Sequence, residues 1–167
     1  MLTPEKIIDN LNMKPLEIEG GYYVETYRSE DRIEAKALPE RYSKSKSIST
    51  AIYYLLTPNT KSNLHRLPTD EIYHFYLGDP VQMLLLYPDG RNRLLFLGSD
   101  IHVGQLLQAV VPGGVWQGAF LLGEGKFALM GTTVSPGFDF EDYEHGDRDS
   151  LISQFPHHEQ LIKRLTT

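Results

Sequence analysis

The residues best suited to chemistry are His65 and Glu71, an imidazole and a carboxylate that flank the turn-forming segment Arg66-Leu67-Pro68-Thr69-Asp70. Glu71 opens the run Glu71-Ile72-Tyr73-His74-Phe75-Tyr76-Leu77, whose aromatic content reads as a strand. Alternation then places Glu71, Tyr73 and Phe75 on one face and Ile72, His74 and Tyr76 on the other. The same rule groups Asn63 with His65, and Gln117 with Val115 and Ala119, leaving Trp116 opposite. Glu71-x-x-His74 has a spacing that binds metal on a helix. On a strand, positions three apart point to opposite faces, so His74 is expected at a surface or interface. If Glu71 is buried it needs a cation, a hydrogen-bond donor or a proton of its own, because an unpartnered buried carboxylate is costly.

Two motifs set these residues in a family context. His65, followed by Glu71 and then after six residues by Gly78, resembles the first motif of the cupin superfamily, with Leu67 standing where that motif has its second histidine. Pro112-Gly113-Gly114-Val115-Trp116-Gln117 is similar to the second motif, with Gln117 in place of its last metal-binding histidine. Gly20-Gly21-Tyr22-Tyr23, Glu71 to Pro80 and Ser135-Pro136-Gly137-Phe138 resemble more closely the cupin-5 or DUF985 group. The resemblance implies one jelly-roll barrel over residues 1–167, with a core at about 20–135, and a homodimer. It also implies that Glu71 points inward, so that His65, Glu71, Tyr73, Asn63, Phe75 and Gln117 share an interior pocket of the kind that takes small molecules.

Four functions are compatible with that pocket. Metal-free sugar-nucleotide epimerases of the cupin class use a histidine base, an acidic partner and a tyrosine acid. By that analogy His65 is the base and Tyr73 or Tyr53 the acid, acting on a sugar- or nucleotide-type ligand. A metal-dependent oxygenase or hydrolase would use His65, Glu71 and Gln117, although an amide oxygen is a weak neutral ligand and Leu67 offers none. A noncatalytic metabolite-binding barrel is the third reading and a storage or scaffold role the fourth. On this basis no cofactor is required, and a divalent metal would be held weakly. An arrangement in which His65 and Glu71 merely satisfy each other in the core is the structural alternative.

Composition narrows the partners. Sixteen basic against 22 acidic residues give a net charge of -6, which opposes nonspecific attraction to phosphate backbones, so nucleic acid is not an expected partner. Cysteine is absent, which excludes disulfides and thiolate chemistry and fits a reducing compartment. No window approaches the roughly 18–20 apolar residues of a membrane helix, and Met1 to Lys6 lacks a basic region followed by an apolar stretch. A cytoplasmic protein with no membrane partner is the expectation. The acidic residues Asp139, Glu141, Asp142, Glu144, Asp147 and Asp149 lack the ordered spacing of a calcium loop and read as a solvated connector.

The elements that must position the site are strands. Short runs rich in Tyr, Val, Ile and Leu, punctuated by Gly, Pro and Asp, predict strands over 22–28, 48–56, 62–65, 71–77, 81–87, 91–97, 106–111, 115–122 and 126–134. Pro88-Asp89-Gly90 predicts a tight hairpin. Thr3 is placed to cap a helix with Pro4 at its first position and Ile7, Ile8 and Leu11 on one face. A second helix is expected after Pro156, closing one side of the barrel, and Lys44 to Ser47 reads as a mobile loop.

Overall fold

The computed structural model describes residues 2–167 and contains two antiparallel sheets packed face to face. In spatial order, the six-stranded sheet comprises Lys14–Pro15, Tyr22–Arg28, Thr50–Leu56, Ala128–Val134, Glu71–Gly78 and Gln108–Val111. The five-stranded sheet comprises Glu144–His145, Ser62–Arg66, Trp116–Leu121, Val81–Leu86 and Asn92–Leu97. Tyr22–Arg28 and Thr50–Leu56 are consecutive in the six-stranded sheet, and Val81–Leu86 and Asn92–Leu97 in the five-stranded sheet. Every other connection between long strands crosses from one sheet to the other, a winding of the jelly-roll type. All nine strands expected from sequence are present, with ends displaced by at most two residues.

The inward faces interdigitate into one core that includes Tyr54, Tyr73, Phe75, Met83, Leu85, Val111, Ala119 and Met130. Glu71, Tyr73 and Phe75 alternate as buried positions with Ile72, His74 and Tyr76, the order expected of a half-buried strand. The Pro88-Asp89-Gly90 hairpin closes as expected, with Gly90 at φ 86° and its N–H donating to the Tyr87 carbonyl.

Helices cover the outer faces. The Pro4–Leu11 helix, capped by the Thr3 hydroxyl, packs Ile7 with Ile8 and Leu11 on Leu55 and Leu129 outside the six-stranded sheet. At the other end of the chain, Arg148–Gln154 and Glu159–Leu165 lay Leu151, Phe155, Ile162 and Leu165 over Leu64, Leu84, Leu86 and Phe120. The last helix therefore covers the back of the five-stranded sheet. The partner helix at Arg148–Gln154, capped by Asp147, was not expected from sequence.

Two loop assignments are corrected. Lys46–Ser47 is a short strand paired with Arg32–Ile33, and Lys46 is buried. The acidic segment is tied down by ion pairs: Asp139 and Asp142 to Lys46, Asp139 also to Arg28, Glu141 to Lys44, and Glu144 to Arg66. Alternating acids in a sequence do not reveal that their cations come from strands about a hundred residues earlier.

Candidate functional site

Two neighbouring strands deliver the central pair of polar side chains. Gln117 of Trp116–Leu121 lies in register with His65 of Ser62–Arg66. Both are almost wholly buried, as is Glu71 on the opposite sheet. The His65 Nδ1–H donates to the Asn63 carbonyl at 2.7 Å, a bond that only a protonated Nδ1 can make with a carbonyl. That bond orients the ring and leaves Nε2 on the side of Glu19.

Nε2 faces a residue that strand reasoning missed. The Glu19 Oε2 lies 3.7 Å from it, while Oε1 of the same carboxylate accepts from the Ser62 hydroxyl at 2.7 Å. Glu19 ends a turn in which the Leu16 carbonyl accepts from the N–H groups of Glu19 and Gly20, and the Glu19 carbonyl accepts from Asn63. Gly20 follows at φ 102°, and a Cβ there would lie 2.1 Å from the Lys61 carbonyl oxygen, so only glycine fits. The Gly20-Gly21 pair was visible in the sequence as a motif. What it positions is the residue before it.

Glu71 is held from one side by the Gln117 Nε2, which donates to its Oε2 at 2.8 Å. His65 and Glu71 thus do not satisfy each other directly; each has its own support. Burial and the nearby Glu19 carboxylate push the Glu71 carboxyl above the ordinary glutamate range, more than His65 and the hydrogen bonds from Thr132 and Gln117 pull it down. A carboxyl whose native pKa is raised contributes stability that is complete below the unfolded value and is lost as pH rises through the native value. Glu71→Gln is therefore expected to be more heat-stable than the wild type at pH 8, with the difference shrinking towards pH 4.5. Calorimetric midpoints across that range check this; a variant less stable at pH 8 would show that ionised Glu71 is matched by a positive partner.

His65, Glu71 and Glu19 line a cavity of about 490 Å³ at one end of the barrel, together with Leu67 and Thr132. Its outer wall is aromatic: Tyr23, Phe138 and Phe140 meet edge to face, with ring centres 6.5 Å and 5.3 Å apart. Tyr143 stacks on the other side of His65 at 5.0 Å, and its hydroxyl donates to the Ile18 carbonyl. A larger and more open groove of about 1560 Å³ lies beyond Leu67 and Phe140. Of its five cations, Lys44, Lys46 and Arg66 are paired with acids of the 139–144 segment, and its lining contains neither His65 nor Glu71.

The other expected site residues fall into three positions. Asn63 and Gln117 are buried beside the cavity as supports for His65 and Glu71. Tyr73 and Phe75 point inward but belong to the packed core and do not line the cavity. Burial and the Glu71 and Glu19 carboxylates push the Tyr73 phenol well above its usual range, which makes it a poor proton donor. Tyr53 is a correction: it lies on the outer face, against the N-terminal helix cluster and edge to face with the exposed Tyr76 at 5.8 Å. The phenol that its strand turns inward belongs to Tyr54, whose hydroxyl donates to the Gly20 carbonyl. His74 is outside as expected, between Thr133 and Gln108.

At His65, Glu71 and Gln117 the amide of Gln117 is the weakest ligand type of the three. Gln117 presents its amide nitrogen, which cannot ligate, to Glu71; Leu67 fills the place of a second imidazole; and no three His, Asp or Glu side chains among the described residues are grouped as a metal site.

A jelly-roll barrel with its polar cluster at an inner end is the architecture of the cupins. The family model "Cupin superfamily (DUF985)" matches residues 5–146, and the chain belongs to that family. An uncharacterized protein of Saccharomyces cerevisiae is 38% identical over 133 residues, a match that spans 75% of this chain and 66% of the yeast protein. A hypothetical protein from Leishmania major is 34% identical, with a TM-score of 0.87 over 99% of both chains. A Shewanella oneidensis protein is 30% identical, with a TM-score of 0.88 over 100% of this chain and 99% of its own. Oxalate decarboxylase from Bacillus subtilis, 16% identical with a TM-score of 0.53 over 88% of this chain and 35% of its own, shares the fold. No helix among the described residues is long and apolar enough to cross a membrane.

Proposed function

We propose that the protein binds a small polar organic molecule in the barrel cavity and moves a proton on it without a metal, in the manner of an isomerase. The observation that carries this reading is the His65 ring, locked by its Nδ1–H bond to Asn63 with Nε2 turned towards Glu19 at the cavity. In such a step Nε2 takes a proton from carbon beside a carbonyl. Glu71, whose carboxyl is shifted upward by burial and the nearby Glu19, is the group in the cavity suited to deliver a proton to the enolate. Glu71 takes the acid role first given to Tyr73 or Tyr53. Of the two ligand types, a sugar-like ring suits the cavity better than a nucleotide, whose phosphates would meet Glu19 and Glu71.

The test is native mass spectrometry of the purified protein, followed by incubation of the co-purifying compound in D2O. Wild type is expected to exchange one carbon-bound hydrogen, and His65→Ala to lose binding or exchange by at least about a hundredfold, the usual contribution of a positioned acid or base. A compound that binds through His65 and Glu71 without exchange favours the noncatalytic metabolite-binding barrel. Stoichiometric metal that is lost in Glu71→Ala favours the oxygenase or hydrolase.

We also propose that the chain forms a homodimer. The outward residues of Val81–Leu86 are covered by the chain's own C-terminal helices, so that segment supplies no dimer face. Tyr76 and Val110 remain exposed on the outer face of the six-stranded sheet, beside the edge strand Gln108–Val111.

A further inference from the structure

The inner end of the cavity is rich in acceptors and poor in donors. Glu19 and Glu71 contribute two carboxyl groups, and the His65 Nε2 lies 3.7 Å from the Glu19 Oε2. The Ser62 hydroxyl and the Gln117 amide N–H, with Thr132, satisfy only part of this demand. Two further buried side-chain oxygens, Asn63 Oδ1 and Gln117 Oε1, have no hydrogen-bond partner. These belong to the two residues that hold His65 and Glu71. Unsatisfied buried acceptors are uncommon in native proteins. Neither residue lines the cavity itself; each lies directly behind a residue that does, His65 or Glu71.

Among the described residues the lining has two long-chain cations, both at the outer end beside Tyr23 and Phe138 and neither bonded to Glu19 or Glu71. Lys14 lies 5.1 Å above the Tyr23 ring, and Arg28 is committed to Glu25, Asp139 and the Phe138 carbonyl. A cavity of about 490 Å³ is far larger than a metal ion and matches a small organic ligand. Its outer wall of Tyr23, Phe138 and Phe140 offers apolar edges and negative ring faces, which favour a carbon body next to a positive charge.

We propose that the inner end of this cavity takes the protonated nitrogen of an organic amine or guanidine, whose carbon body lies against Tyr23, Phe138 and Phe140. The proposal rests on reading the cavity as a small-molecule site and is independent of whether proton transfer occurs there. An ammonium brings several donors to the Glu19 and Glu71 carboxyl oxygens, and its positive charge offsets the Glu19 charge that disfavours ionised Glu71. A phosphate or carboxylate at the same place would meet the carboxyl groups of Glu19 and Glu71.

The experiment is isothermal titration of the full chain at pH 7 with three probes of one shape: benzylamine, benzyl alcohol and benzoate. Benzylamine is expected to bind at least tenfold more tightly than benzyl alcohol, with benzoate weakest. Glu19→Gln and Glu71→Gln are each expected to reduce that ratio towards one by weakening benzylamine more than benzyl alcohol. Calorimetric unfolding of the same samples verifies that both variants are folded. Benzyl alcohol or benzoate binding as well as benzylamine overturns the cation preference and leaves a small-molecule site. A benzylamine preference unchanged in both variants places the amine elsewhere and overturns it too. One equivalent of zinc that displaces benzylamine assigns the cluster to a metal instead. Failure of all three probes at about 10 mM, a concentration that even weak ligands of this size reach, overturns both the cation proposal and the small-molecule reading.

Discussion

Lys46→Met is expected to lower stability by about 3 kcal/mol, because removing one partner of a buried ion pair leaves its acid uncompensated. The Lys46 side chain is only 6% exposed, and its ammonium lies 2.7 Å from Asp142 and 2.9 Å from Asp139. Asp142 is nearly as deeply placed and loses most, whereas Asp139 keeps Arg28. For a chain of this size the loss corresponds to a fall in melting midpoint of roughly 6–12 °C. Lys46→Met combined with Asp142→Leu should recover most of it, since an apolar pair leaves no stranded charge. Acid separates this network from the cavity. Burial pushes Asp139 up, but the hydrogen bond and charge of Lys46, with Arg28, outweigh it and hold the carboxyl below its ordinary range. Its contribution is present above the ordinary aspartate value and is lost as pH falls through the lower native value, the opposite sense to Glu71. A loss below about 1 kcal/mol, the range of exposed pairs, would show that the network does not staple Phe138 and Phe140 over the cavity.

The second large effect is a gain. Leu67→His combined with Gln117→His should convert the cluster into a metal site, because it adds two imidazoles to His65 and Glu71. Leu67 lines the cavity and Gln117 already touches Glu71, so both positions are near the existing donors. Zinc or nickel at a hundred times the dissociation constant would then stabilise the double variant by about 2.7 kcal/mol, a rise of roughly 5–11 °C in melting midpoint. Gln117→His alone should show a smaller rise and the wild type almost none. A wild type that responds as strongly as the double variant would mean that its own donors suffice, and the metal-free reading would fall.

Much of this was legible from local pattern. Period-two alternation located the strands, turned Glu71 inward and His74 outward, and set Gln117 apart from Trp116, since side-chain direction on a strand depends only on parity. Turn chemistry placed the Pro88-Asp89-Gly90 hairpin, and the Thr3-Pro4 pair began the first helix, because both are governed by the φ preferences and capping groups of a few adjacent residues. The substitutions Leu67 and Gln117 were likewise plain in the chain itself.

The partners of those residues were decided by tertiary structure. Glu19 precedes His65 by 46 positions in the chain and sits in a turn with no strand parity of its own, so nothing local assigns it to the imidazole. Lys46 and the acids at 139 and 142 are paired across more than ninety residues, and a sequence that looked like a solvated connector became a staple. Tyr53 and Tyr54 show the same division within one strand. Composition marks both as candidate phenols, but only the register of Thr50–Leu56 between its neighbours sends Tyr54 inward and leaves Tyr53 outside. Local sequence determines backbone shape and the alternation of faces because those depend on nearest neighbours. Which face looks into the cavity, and which charges meet there, depends on long-range packing that sums contacts over the whole barrel.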